Sequence, residues 1–196
     1  MKGYGRKGWQ PPDDYAGSER GGQEYDSRME FTLTITIPDL DFFLASEEHA
    51  GVAQGSVIVD GFTPKTGAPV ADGLFNLFVG GSGPRSRRML YALPFTGTDG
   101  TPYLLDGFKD VRDHGNFDVW ASTSTLYTVI REGHERTGAV DATGILHILI
   151  ADFMKQLTTF RATGTDDPAA QLEALGRFGE MFFGSLWEVF VKPHLV

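Results

Sequence analysis

The sequence predicts a mostly β fold of the α+β class: a curved antiparallel sheet or partial barrel of about seven strands, with a short helix after the first strand and C-terminal helices packed on the sheet. Two observations carry this expectation. Between Met29 and Ile150 short apolar runs, several of them strictly alternating, recur between turns rich in glycine and proline. Beyond Asp152 the apolar spacing lengthens to that of an amphipathic helix.

Residues 1–28 carry glycine, proline and balanced charge with no apolar run, and are expected to form a flexible tail ahead of a single β-rich domain over 29–196. Order begins at Met29, where Phe31, Leu33, Ile35 and Ile37 alternate with Thr32, Thr34 and Thr36, the period of a strand with one buried face. Pro38-Asp39 stops that ladder and starts a short helix whose Leu40, Phe43 and Leu44 share a face that covers one end of the sheet. Further strands are predicted over Gly55–Asp60, Gly73–Val79, Arg87–Phe95, Pro102–Lys109, Thr123–Glu132 and Ala142–Ile150. Their links, Thr63 to Gly67, Gly80 to Pro84 and Gly97 to Gly100, are turn sequences short enough to favour antiparallel neighbours. Ile145, Leu146, Ile148 and Leu149 are apolar on both faces, as in a strand covered on each side. Asp152 is placed as the cap of one helix bearing Phe153, Leu157 and Phe160. Asp167-Pro168 opens a longer helix with an apolar stripe from Leu172 to Phe190, and Pro193 marks its end.

Composition narrows the function. The 196 residues include 17 basic and 26 acidic side chains, and the net charge of -9 repels phosphates and anionic head groups, so neither nucleic acid nor a polybasic membrane role is expected. With no cysteine, disulfides, thiolate nucleophiles and Cys-ligated zinc are excluded, which fits a cytoplasmic protein. No run approaches the roughly 20 apolar residues of a membrane-spanning helix.

Few motifs carry chemistry. Gly3-Tyr4-Gly5-Arg6-Lys7-Gly8 has the letters of a dinucleotide fingerprint but no preceding strand or following amphipathic helix in the sequence pattern. No nucleophile elbow and no zinc-protease motif occurs, and no cofactor or metal is expected. Arg85, Arg87 and Arg88 form the densest basic cluster, able to hold a carboxylate or phosphate, or else simply a solvated hairpin charge. Asp113, His114, Asp118 and Trp120 share a loop between two strands. There a carboxylate can tune His114 as a general acid or base beside an apolar wall, or the aspartates can merely cap turns. His147, on the most apolar strand, reads as a satisfied structural histidine, with catalysis as the sharper alternative. Asp106 and Lys109 flank Gly107-Phe108. A lysine inside a barrel can bind a polar ligand end, whereas an outward ion pair is the plainer expectation.

The runs Gly73-Leu74-Phe75-Asn76-Leu77-Phe78-Val79, Arg88-Met89-Leu90-Tyr91, Gly107-Phe108-Lys109, Asp118-Val119-Trp120, Ser124-Thr125-Leu126-Tyr127 and Asp152 to Phe160 together resemble an accessory region of large cholesterol-oxidase-like proteins. In those proteins a flavin-dependent oxidoreductase of the glucose-methanol-choline type, sometimes with an α/β-hydrolase, shares the chain. The resemblance spans roughly Phe31 to Phe190 and implies an association with lipid or steroid metabolism. The flavin and hydrolase motifs are absent from this sequence, so no catalytic residue carries over.

Three functions follow as expectations. The first is an accessory or binding module that holds a sterol-like or acyl ligand, with Trp120, Tyr91, Tyr127, Lys109 and Arg88 as ligand-binding residues, or that docks on a flavin-dependent oxidoreductase. Its motivation is the supply of 15 phenylalanines, six tyrosines and three tryptophans. The second is a small lipid-acting isomerase or hydrolase using His114 or His147 with Asp113 or Asp118. The third is a homo-oligomer in which Gly176, Gly179 and Gly184 let the last helix approach another subunit closely.

Overall fold

The computed structural model describes residues 1–9, 11–81, 86–112 and 124–190. Its strands are β1 (Lys2–Lys7), β2 (Arg28–Thr36), β3 (Ala50–Val59), β4 (Ala68–Gly80), β5 (Ser86–Thr96), β6 (Pro102–Arg112), β7 (Thr125–Glu132) and β8 (Val140–His147). Each pairs antiparallel with the next, and β8 pairs back with β1 from Lys2↔His147 to Lys7↔Ala142, so the sheet is a closed eight-stranded barrel. The expected count of seven is short by one, and closure is complete rather than partial. The missing strand is β1.

The first 28 residues therefore supply an ordered strand and the helix α1 (Tyr15–Glu24), not a tail alone. Neither shows an apolar pattern, for a structural reason. In β1 an inward position is Gly5, and the Met29 sulfur lies 2.7 Å from where a Gly5 Cβ would stand, so β2 fills the space that β1 leaves. The buried face of α1 is Gly17, Ser18, Gly21 and Gly22. A Cβ on Gly22 would come within 2.6 Å of the Gly5 nitrogen, so the helix lies directly on the strand backbone. Ser18 spans the seam: its Oγ accepts from the Arg6 amide (3.0 Å) and donates to the Thr143 carbonyl. It is α1, not a C-terminal helix, that covers the outside of β8, where Ile145 is buried, whereas Ile148 and Leu149 of the expected run lie beyond the strand and Leu149 is exposed.

The end of the barrel bearing the β3–β4, β5–β6 and β7–β8 turns is plugged by Phe62, which is 3% exposed and packs edge-on against Tyr103 at 5.0 Å. The opposite end meets α2 (Leu40–Ala45) and α4 (Pro168–Phe190). Asp39 caps α2 by accepting from the Phe42 amide (2.9 Å), as its position after Pro38 predicts. Phe43 is buried beneath α2, with Phe178 of α4 at 6.1 Å. A bulge in β4 puts Phe78 at φ 53, a left-handed backbone that buries Leu77 and Phe78 in succession and aims Phe78 at Phe182, 5.4 Å away. Arg177 of α4 bonds Asp41 of α2 at 2.6 Å. The long helix thus sits over the barrel end rather than along the sheet face.

Between β8 and α4 lies α3 (Ile150–Leu157). Its cap is Leu149 without a side-chain bond, and Asp152 stands inside the first turn instead of capping it. Asp167 does begin α4, accepting from the Ala169 amide at 3.0 Å, whereas Pro193 lies outside the described residues. No described atom comes within 4 Å of a Cβ built on Gly176, Gly179 or Gly184, so within the described chain these glycines serve no close contact. Among the described residues no helix is long and apolar enough to cross a membrane.

Candidate functional site

Strand parity decides which side chains enter the barrel. In β6, Tyr103, Leu105, Gly107, Lys109 and Val111 point inward, while Asp106, Phe108 and Asp110 point out. Lys109 is consequently an interior residue, 6% exposed, opposite Met89 of β5 and with its amine 5.9 Å from the Tyr91 ring centroid. Asp106, its supposed partner, is on the outside between Arg131 (3.2 Å) and Arg136 (3.1 Å). Among the described residues no carboxylate pairs with Lys109. Burial alone pulls its pKa from the ordinary 10.5 to about 8, since a cation in an apolar interior lacks the water that stabilises it.

The neighbouring interior row runs Tyr91, Gly107 and Thr128 across β5, β6 and β7. Tyr91 packs between Phe75 (5.0 Å) and Phe31 (5.6 Å), and burial raises its phenol pKa, so it remains a neutral hydrogen-bonding group. Thr128 is 0% exposed and its Oγ1 has no hydrogen-bond partner. Among the described residues an amine and two hydroxyls thus sit inside an otherwise apolar interior. Toward the α2 and α4 end the inward residues Leu33, Ile35 and Phe75 are only half-buried, as are Met181 and Phe182 of α4. The apolar lining therefore loosens at the end nearest Lys109. The Met1 amino group, which donates to the Phe31 carbonyl at 2.8 Å, is held below its ordinary pKa by burial and by the charge of Lys109, against the pull of Glu30 and Asp152.

Of the residues expected to bind ligand, Lys109 and Tyr91 come together inside. Arg88 and Tyr127 do not: both face outward, where the Arg88 guanidinium lies over Phe108 (5.1 Å), and Phe108 stacks on Tyr127 (5.4 Å) beneath Tyr15 of α1. Each stands one residue from an inward position, and in a strand that single step reverses the face. Trp120, Asp113, His114, Asp118 and Arg85 lie outside the described residues. His147 ends β8, its Nε2 3.1 Å from Glu19 Oε1 of α1 and its Nδ1 3.4 Å from Thr125 Oγ1. Its described partners tie α1 to β7 and β8, and its side chain is 45% exposed rather than buried as its place on an apolar strand suggests. Gly3 and Gly5 belong to a barrel strand, not a strand-to-helix phosphate loop.

Thr128 was not singled out in the sequence, although its signal is present: it stands between Leu126 and Ile130, at period two on an otherwise apolar inward face. The fold and site together define a closed up-and-down β-barrel with a buried lysine that has no ion-pair partner among the described residues. No family model, curated protein or solved structure matches the chain.

Proposed function

We propose that this protein is a binding module for a hydrophobic small molecule, an acyl or sterol-like body whose carboxylate meets Lys109 inside the barrel. One observation carries the reading: a lysine buried in an apolar interior with no anion beside it among the described residues. An unpaired buried cation is costly, and a ligand carboxylate supplies the charge that the described chain does not. Eight-stranded barrels of this kind are wide enough inside for side chains alone or for one small ligand. The loosened apolar end between β2, β4 and α4 suits a hydrocarbon body, at roughly 0.8 kcal/mol per methylene buried. The phenol of Tyr91 and the unpartnered hydroxyl of Thr128 are further hydrogen-bonding groups for the polar end. The resemblance to an oxidoreductase accessory region supports a setting in lipid or steroid metabolism.

Calorimetric titration with dodecanoate and with dodecanol tests this. Wild type is expected to prefer the acid, and Lys109→Met to lose that preference by about 30-fold or more, because truncating one partner of a buried charge pair costs roughly 2–5 kcal/mol. Dodecanol affinity should be equal in both proteins. Equal binding of acid and alcohol to wild type, or no binding of either, would overturn the proposal.

A further inference from the structure

Resting on that binding site, we infer a second property of it: Lys109 is a covalent attachment point that condenses with a hydrophobic aldehyde to form an imine within the barrel. The geometry sets this lysine apart. It projects from β6 among Met89, Tyr91 and the apolar lining, and no described carboxylate holds it as an ion pair. Lys7, by contrast, is exposed and pairs with Asp141 at 3.4 Å. The hydroxyl of Thr128, buried without a partner on the adjacent strand, is positioned in the same interior to take a hydrogen bond from a polar intermediate or donate one to it.

The chemistry needs only the amine and the carbonyl. The Nζ lone pair forms a bond to the carbonyl carbon as the C=O π bond breaks, and the proton lost by nitrogen passes to oxygen, giving a carbinolamine. Expulsion of that hydroxyl with a second nitrogen proton leaves C=N and releases one water, with no oxidant or reductant. With its pKa lowered to about 8, about one-fifth of Lys109 is neutral at pH 7.4, against roughly one in a thousand for an ordinary lysine, a gain of about 200-fold in the nucleophilic form. An apolar surround also limits the water that would reverse the condensation.

The test is to incubate the full-length protein with decanal and cyanoborohydride, which traps an imine as a stable secondary amine, and to map the site by peptide mass spectrometry. One decyl adduct is expected on Lys109, formed about tenfold or more faster than on any other lysine, with a rate that reaches half its plateau near pH 8. Lys109→Arg, which keeps the charge but has no primary amine, should lose the adduct. The mapping on wild type decides the matter even if that variant does not fold. Adducts spread evenly over the lysines would overturn the inference. Decanoate binding without a Lys109 adduct would overturn the imine and leave the carboxylate site standing, whereas loss of both would overturn the two together.

Discussion

Replacing Lys109 by methionine keeps an unbranched side chain one heavy atom shorter and removes the buried charge, so the two proteins should differ in how their stability depends on pH. Below pH 8 the lysine is protonated in both folded and unfolded states, and the folded state alone bears the cost of burying it. Between about 8 and 10.5 the folded protein has released that proton while the unfolded chain still holds it, so raising the pH favours folding. A lowering of about 2.5 units, at 1.36 kcal/mol per unit, corresponds to about 3 kcal/mol in full. Of this about 2 kcal/mol is realised between pH 7 and 9.5, the limit set because the raised pKa of Tyr91 begins to act in the opposite sense near pH 10. Urea unfolding of wild type and Lys109→Met at intervals across that range is the assay. Wild-type stability should rise relative to the variant by about 2 kcal/mol, or roughly 4–8 °C in Tm, while the variant starts the more stable of the two at pH 7. A constant difference between the two proteins over the range would refute a buried, unpaired lysine.

Three further substitutions test the frame that holds the site. Ser18→Ala leaves the Arg6 amide without its acceptor at the β1–β8 seam and should cost about 1–3 kcal/mol, with faster hydrogen exchange at Arg6. Gly22→Ala drives a methyl into the backbone of Gly5 and should cost about 1–3 kcal/mol in denaturant titration while leaving Lys109 titrating as before. Phe43→Ala empties the space beneath α2 and should cost about 3–5 kcal/mol, with early proteolysis of α4, whose Phe178 packs on that ring.

The contrast between β2 and β1 shows what makes a strand legible. Alternation is plain in β2 because a Phe, Leu and Ile series faces the barrel and threonines face away. Beside it β1 closes the same barrel with Gly5 at an inward position whose space Met29 fills and Gly3 against the backbone of β8, so no apolar period is there to be read. The helix α1 is hidden for the same reason, since a face of glycine and serine is compatible with contact at backbone distance but carries no hydrophobic pattern. Short turns were readable from local chemistry: the Gly67 amide closes on the Pro64 carbonyl at 2.8 Å, and the Gly97 amide on the Thr101 carbonyl at 2.8 Å. The end of β8 was not, because its last pairing is set by tertiary neighbours: the Ile148 amide bonds the Ser124 carbonyl just before α3 begins. At the site the structure puts Lys109 in phase with the buried Leu105 and Val111, against the plainer expectation of an outward ion pair, and puts Arg88 and Tyr127, expected to bind ligand, out of phase with Met89, Tyr91 and Leu126 on the outer surface. What the chain alone withheld was that Asp106 does not pair with Lys109: the two are near in sequence but on opposite sides of the sheet, where Asp106 meets Arg131.

The most direct measurement is the titration of the Lys109 amine itself, followed by NMR of side-chain 13C-labelled lysine, in the free protein and with saturating dodecanoate. A midpoint near 8 in the free protein that moves upward when the acid binds is the predicted result. A midpoint near that of an exposed lysine, or one that dodecanoate leaves unmoved, would contradict it.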